Sequence, residues 1–182
     1  MNILAPKNFL ELEKMLEFGV DLNKPVAIRY PRGSEEAKAD QDFKEITLGK
    51  AELLKEGKDI SIIAIGKMVS RAEEVAELLA ARDIDAEIIN VRFLKPLDKE
   101  MILKSISKTK RVITIEDNLL AGGLGAAVMN AINEALEDKT LDSSVTVKTF
   151  GYKDVFVKHG KTEELEKLHG LDAESIANSI EK

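Results

Sequence analysis

Arg29 and Arg32 are the groups of this chain best suited to gripping an anion. They lie in Pro25-Val-Ala-Ile-Arg-Tyr-Pro-Arg-Gly33, where the apolar run Val26-Ala27-Ile28 leads directly into them. Pro31 donates no backbone hydrogen bond and biases Tyr30 toward an extended conformation, so a strand over Val26–Tyr30 is expected to end here, and Gly33 lets the chain turn away. A guanidinium at the carboxyl end of a strand stands where open α/β sheets collect their ligands, and its fork of donors matches a phosphate or carboxylate. On spacing alone, the same pattern also describes ordinary surface arginines after a strand.

A second candidate is Gly122-Gly123-Leu124-Gly125, between a strand and a helix. Free N–H groups and the helix dipole make such a place favourable to anions. No Gly-Lys-Ser/Thr follows, and the spacing is not Gly-x-Gly-x-x-Gly. Gly122, Gly123 and Gly125 therefore read either as an anion-binding loop or as a tight turn that packs closely. Glu116 and Asp117 precede the loop. Paired carboxylates there could hold a metal or do acid–base work, but neighbours in a strand point to opposite faces, so capping of the glycine loop is the expected role. His159 has no nucleophile at a telling spacing, and His169 beside Gly170 suits a helix terminus. The cations of Arg92-Phe-Leu-Lys-Pro96 could face a neighbouring domain as easily as a ligand.

The elements that must hold these groups alternate. Asn8-x-x-Glu11 forms a variant capping box for a helix with Phe9, Leu12, Met15 and Leu16 on one face, ending near Gly19. Residues 34–44 are charged and poor in apolar side chains, which marks a solvated connector and a domain boundary. Lys50–Leu54 reads as a short strand, and Ile60–Ile65 as one buried on both faces. Ser70-x-x-Glu73 predicts a helix start, with Ala72, Val75, Ala76 and Leu79 inward. Ala86–Val91, Arg111–Glu116 and Val145–Phe150 are further strands. Asp98 is placed to cap a helix carrying Met101, Ile102 and Ile106, and a helix after the glycines carries Val128, Met129, Ile132 and Leu136. Two short helices, capped by Thr162 and Asp172, close the chain. Such alternation predicts an α/β fold, a mainly parallel sheet with helices on both faces.

Composition narrows the classes of function. The chain has 182 residues, 44% hydrophobic and 33% charged, as in ordinary globular domains. A net charge of -6 and a pI near 5.2 predict no general affinity for nucleic acid, and 4% aromatics without tryptophan supply no stacking platform. Apolar stretches such as Ile62-Ile63-Ala64-Ile65 fall far short of the ~20 residues that a bilayer needs, and no signal peptide is visible. The absence of cysteine excludes disulfides and thiolate chemistry and fits a cytoplasmic setting. Two histidines cannot make a histidine-rich metal site.

Four segments, in order, carry a resemblance: PVAIRYPRG at Pro25–Gly33, NVRFLKPLD at Asn90–Asp98, VITIEDNLLAGGLG at Val112–Gly125 and HGKTEELEKLHGLD at His159–Asp172. Together they resemble the carboxyl-terminal portion of the 1-deoxy-D-xylulose-5-phosphate synthases, thiamine-diphosphate enzymes of the transketolase type. RYPRG is the most discriminating motif; the glycine loop is common to the wider superfamily. The resemblance implies a three-layer α/β/α transketolase carboxyl-terminal domain over residues 46–182, with a mostly parallel sheet of about five strands and one antiparallel edge. Residues 1–45 would then be the tail of a pyrimidine-binding domain plus linker. It also implies a parent enzyme that joins pyruvate, with loss of CO2, to D-glyceraldehyde 3-phosphate, using thiamine diphosphate and Mg2+ as a cytoplasmic homodimer. Arg32 matches the family arginine that binds the aldehyde's phosphate, with Arg29 either a second contact or an internal ion-pair partner.

The chain departs from the family in ways that bear on activity. It has no Gly-Asp-Gly, the motif for magnesium and diphosphate, and the acidic residue that activates the cofactor's pyrimidine would lie upstream of Met1. These residues alone are thus expected neither to bind the cofactor nor to turn over, but to need the missing diphosphate-binding and pyrimidine-binding domains. Lys153 stands where the family often has proline, a change expected to affect only its loop. Two alternatives remain at this level: a free-standing regulatory module whose glycine loop holds an anionic metabolite, and the equivalent part of a transketolase.

Overall fold

The computed structural model describes residues 1–32, 43–142 and 144–180. The turn at Gly33 and most of the connector expected over residues 34–44 lie outside these residues. Two sheets organise the chain. The smaller contains β1 (Asn2–Leu4), β2 (Val26–Ile28) and β6 (Phe93–Lys95), in the order β2-β1-β6. The larger contains β3 (Glu52–Lys55), β4 (Ile60–Ala64), β5 (Ala86–Asn90), β7 (Arg111–Leu119) and β8 (Thr146–Tyr152), in the order β3-β5-β4-β7-β8. Only β3 runs antiparallel to its neighbour in the larger sheet, as expected of one edge strand.

The strands β4 and β5 are buried along their whole lengths because helices cover both faces. Side chains alternate between two cores. Ile62, Ile88, Ile113 and Ile115 join α2 (Met68–Ala80) and α6 (Ala173–Asn178) on one face. Ile63 and Val112 join α3 (Lys99–Thr109) and α4 (Leu124–Glu137) on the other. The register that sets Ile62 opposite both Ile88 and Ile113 keeps each core continuous. A third cluster, Leu4, Met15, Ile46 and Phe93, packs α1 (Phe9–Asp21) against the smaller sheet.

The caps on Asn8, Asp98 and Asp172 are present: each side chain accepts a backbone N–H three residues on, from Glu11, Met101 and Ser175 respectively. Several expectations need correction. Gly66, at φ +62°, turns the chain straight after β4, so α2 starts at Met68 and Ser70 already lies in its first turn. Its hydroxyl donates back to the Lys67 carbonyl at 2.9 Å, and no capping box forms with Glu73. Thr162 is the first residue of α5 (Thr162–Leu168), and Lys161 holds the cap position without a side-chain bond. α1 passes Gly19 and ends at Asp21, and β3 is shifted to Glu52–Lys55. Met129 is exposed because it lies about 100° around α4 from the inward Val128. β2 is shorter than Val26–Tyr30, ending at Ile28, although the Arg29 N–H still bonds the Leu4 carbonyl at 2.8 Å.

Strand β6 is not among the strands that the sequence pattern predicts. It pairs antiparallel with β1, so a segment of the region 46–182 completes the sheet of the first residues. Arg92, at φ +56°, makes the turn into it and fixes the junction. Its guanidinium donates to Glu11 at 2.6 Å and to the carbonyls of Lys44 and Glu45 at 3.1 and 3.3 Å. Arg92 thus faces the neighbouring segment, one of the two directions the sequence allowed.

Candidate functional site

The chemistry-bearing groups gather at the carboxyl ends of β2, β4, β7 and β8. Arg29 follows β2, Lys67 follows Gly66 after β4, Glu116 and Asp117 stand in β7, and Tyr152 ends β8. This is the edge where a parallel sheet presents its loops.

Arg29 is half-exposed and places Nη2 3.8 Å from Asp117 Oδ2. Asp117 also receives Lys67, whose Nζ lies 3.2 Å from Oδ2. Lys67 in turn donates to Glu166 of α5 at 2.8 Å, and Arg71 of α2 donates to the other Glu166 oxygen at 3.0 Å. Charges of alternating sign therefore run Arg29, Asp117, Lys67, Glu166, Arg71. Burial opposes the Lys67 ammonium, but its bonds to Glu166 and Asp117 outweigh this and hold its pKa above the usual lysine value. Burial raises the Tyr152 phenol, and the charges of Asp117 and Glu166 raise it further. His169 packs edge-on against that phenol at 5.1 Å, while His159 is exposed.

Arg32 is exposed and, among the described residues, has no ion-pair partner, unlike Arg29. The two arginines of the motif thus differ in setting, one turned toward carboxylates and one toward solvent.

The glycine loop is occupied from within. Glu116, almost fully buried, accepts the N–H groups of Leu124 and Gly125 at 2.8 Å each, so its carboxylate sits where an outside anion would meet the α4 terminus. Burial raises the Glu116 pKa against the lowering pull of those two N–H groups and of Arg29. A Cβ on Gly123 would run into Glu116 Oε2, and one on Gly125 would approach Thr149 Cγ2 to 2.9 Å. Close packing around an internal carboxylate thus accounts for both glycines. Gly122 needs its φ of +76° and has open space around it.

The placement of Arg29 at a strand end and the capping role of Glu116 were legible in the sequence. Lys67 and Tyr152 could have been found by applying the strand-end rule to every strand. Glu166 carried no signal, since its link to Lys67 spans 99 residues of chain.

The family described as the transketolase C-terminal domain matches residues 49–176. Over 182 residues the chain is 42% identical to a 1-deoxy-D-xylulose-5-phosphate synthase of Clostridium tetani, covering 100% of this chain and 28% of that protein. Over 181 residues it is 44% identical to one of Halothermothrix orenii, covering 99% and 28%. The chain therefore spans little more than a quarter of these relatives. Among solved structures, a split-gene transketolase described as an inactive beta4 tetramer aligns with TM-score 0.86 at 29% identity, covering 98% of this chain and 56% of that one. A Campylobacter jejuni transketolase aligns with TM-score 0.66 at 19% identity, covering 98% and 25%, and shares the fold.

Proposed function

Because the chain belongs to the transketolase carboxyl-terminal domain family, we infer that it is the carboxyl-terminal part of a 1-deoxy-D-xylulose-5-phosphate synthase. That enzyme condenses pyruvate, with loss of CO2, and D-glyceraldehyde 3-phosphate to 1-deoxy-D-xylulose 5-phosphate, for isoprenoid, thiamine and pyridoxal phosphate synthesis. On this reading residues 1–45 close the pyrimidine-binding domain and 46–182 form the carboxyl-terminal domain, with β6 joining the two. The chain braces the complete enzyme, a cytoplasmic homodimer, and lends it one substrate contact. The relative described as a beta4 tetramer supports an oligomeric state.

On this reading the thiamine diphosphate and Mg2+ of the complete enzyme lie between two domains, of which this chain holds one only in part. The chain lacks Gly-Asp-Gly, and among the described residues no group of three or more His, Asp or Glu could hold a metal ion. What the chain's own residues do is bind and orient. The observation that carries the reading is the exposed guanidinium of Arg32 past the end of β2, beside an Arg29 already engaged by Asp117. In the complete enzyme, Arg32→Ala is expected to raise KM for D-glyceraldehyde 3-phosphate by roughly ten- to a hundredfold, the loss of a charged hydrogen bond of about 1.5–3 kcal/mol. An unchanged KM removes Arg32 from the site.

A further inference from the structure

We propose that Asp117 is a positioning residue for phosphate recognition: by holding Arg29 against β7 it fixes the end of β2 and leaves Arg32 as the guanidinium that meets the substrate's phosphate. This rests on the synthase reading above and adds to it a residue outside the RYPRG motif.

Two guanidinium groups three positions apart at one strand tip would compete for one anion, and an unanchored pair offers it several geometries. The structure treats them differently. Arg29, half-exposed, is paired with Asp117 at 3.8 Å, and its charge also acts on the buried Glu116. Arg32 is exposed and has no such carboxylate among the described residues. Asp117 is itself restrained. Its Oδ2 is 3.2 Å from Lys67 Nζ, Lys67 is tied to the buried Glu166, and Glu166 is tied to Arg71. The anchor therefore reaches from α2 and α5 through β7 to the tip of β2. A half-exposed ion pair such as Arg29–Asp117 adds little to global stability. Its effect is on where the end of β2 points, and small misplacements of binding groups weaken recognition strongly.

The test uses the complete enzyme, this chain together with the portion of its relatives that it does not span. Asp117→Asn is expected to raise both the calorimetric Kd and KM for D-glyceraldehyde 3-phosphate by roughly three- to thirtyfold, the range of a coupling through a neighbouring group. The melting temperature and KM for D-glyceraldehyde, which lacks the phosphate, stay as in the wild type. In an Arg29→Met background, Asp117→Asn adds less than about twofold, because the partner is already gone. If Asp117→Asn does not fold, Lys67→Met, which removes the anchor of Asp117, is read in the same way. An equal effect on both aldehydes, no effect on either, or full additivity with Arg29→Met overturns the proposal. Arg32→Ala measured alongside separates the two levels. A silent Arg32→Ala defeats the synthase-site reading itself, whereas a strong Arg32→Ala with a silent Asp117→Asn defeats only the role of Asp117.

Discussion

Replacing Arg92 by methionine removes the clamp between the first helix and the larger sheet. Arg92 is 3% exposed and its partners Glu11 and Glu52 are 0% and 3% exposed. In the wild type Arg92 donates to Glu11 at 2.6 Å and lies 3.1 Å from a Glu52 oxygen. Without it, Glu11 keeps the Lys7 N–H at 2.6 Å, the Asn90 amide at 3.0 Å and the charge of Lys7, and Glu52 keeps Lys7 Nζ at 3.2 Å and the Asn90 amide at 3.3 Å. Two buried carboxylates then share one ammonium. Breaking a buried pair from one side costs about 3–5 kcal/mol, a large part of a typical 5–15 kcal/mol of stability, or roughly 6–20 °C in Tm. Methionine fills much of the same volume, so the loss reports the uncompensated charge more than a cavity.

The size of that loss depends on pH with a definite sign. Burial already holds the Glu11 carboxyl above its ordinary pKa, against the lowering pull of the Lys7 N–H and of Arg92. Removing Arg92 raises it further. The folded variant then binds a proton more readily than the unfolded chain, so its stability declines as pH rises from the unfolded pKa through the folded one. Urea unfolding of Arg92→Met should therefore show a smaller deficit near pH 5 than near pH 8. Adding Glu11→Gln should recover part of the loss and flatten the pH dependence. A deficit below about 1 kcal/mol, or a double variant no better than Arg92→Met, would refute the account.

The glycine loop and the last helix give further expectations. Gly123→Ala drives a Cβ against Glu116 Oε2 and to 2.5 Å from the Leu119 carbonyl, so it should destabilise by more than about 3 kcal/mol. Gly122→Ala meets only the strain of φ +76° and should cost about 1–2 kcal/mol, and thermal melts that reverse this order contradict the internal-carboxylate reading. Asp172→Ala removes the α6 cap, at about 0.5–2 kcal/mol in denaturant titrations at neutral pH. Burial works to raise the Asp172 pKa, but bonds from Ser175 and nearby backbone hold it below the ordinary value. Its contribution is therefore present above the unfolded pKa and lost as pH falls through the folded one, so wild type and Asp172→Ala should converge in acid.

Part of this architecture was legible because its causes are local. The caps at Asn8, Asp98 and Asp172 each act on an N–H three residues away, and the continuous apolar run at Ile60–Ile65 announces a strand covered on both faces. Glycines reading as a turn, with Glu116 before them, were enough to suggest an internal cap. Ser70-x-x-Glu73 misled because a left-handed Gly66 starts the helix earlier, a decision made by the turn and not by the box.

The sequence by itself determined most of the strands and helices, that the larger sheet is mainly parallel, and that two arginines stand at a strand end, because periodicity and punctuation act over a few residues. Only the tertiary structure decided which charges meet. Glu11 finds Arg92 across 81 positions and Lys67 finds Glu166 across 99, while β6, which follows β5 in the chain, pairs with β1 of the smaller sheet. The physical reason is that a charge carries no record of its partner along the chain. Burial and strand order bring the partners together, and that geometry pairs one arginine with a carboxylate and leaves the other facing solvent.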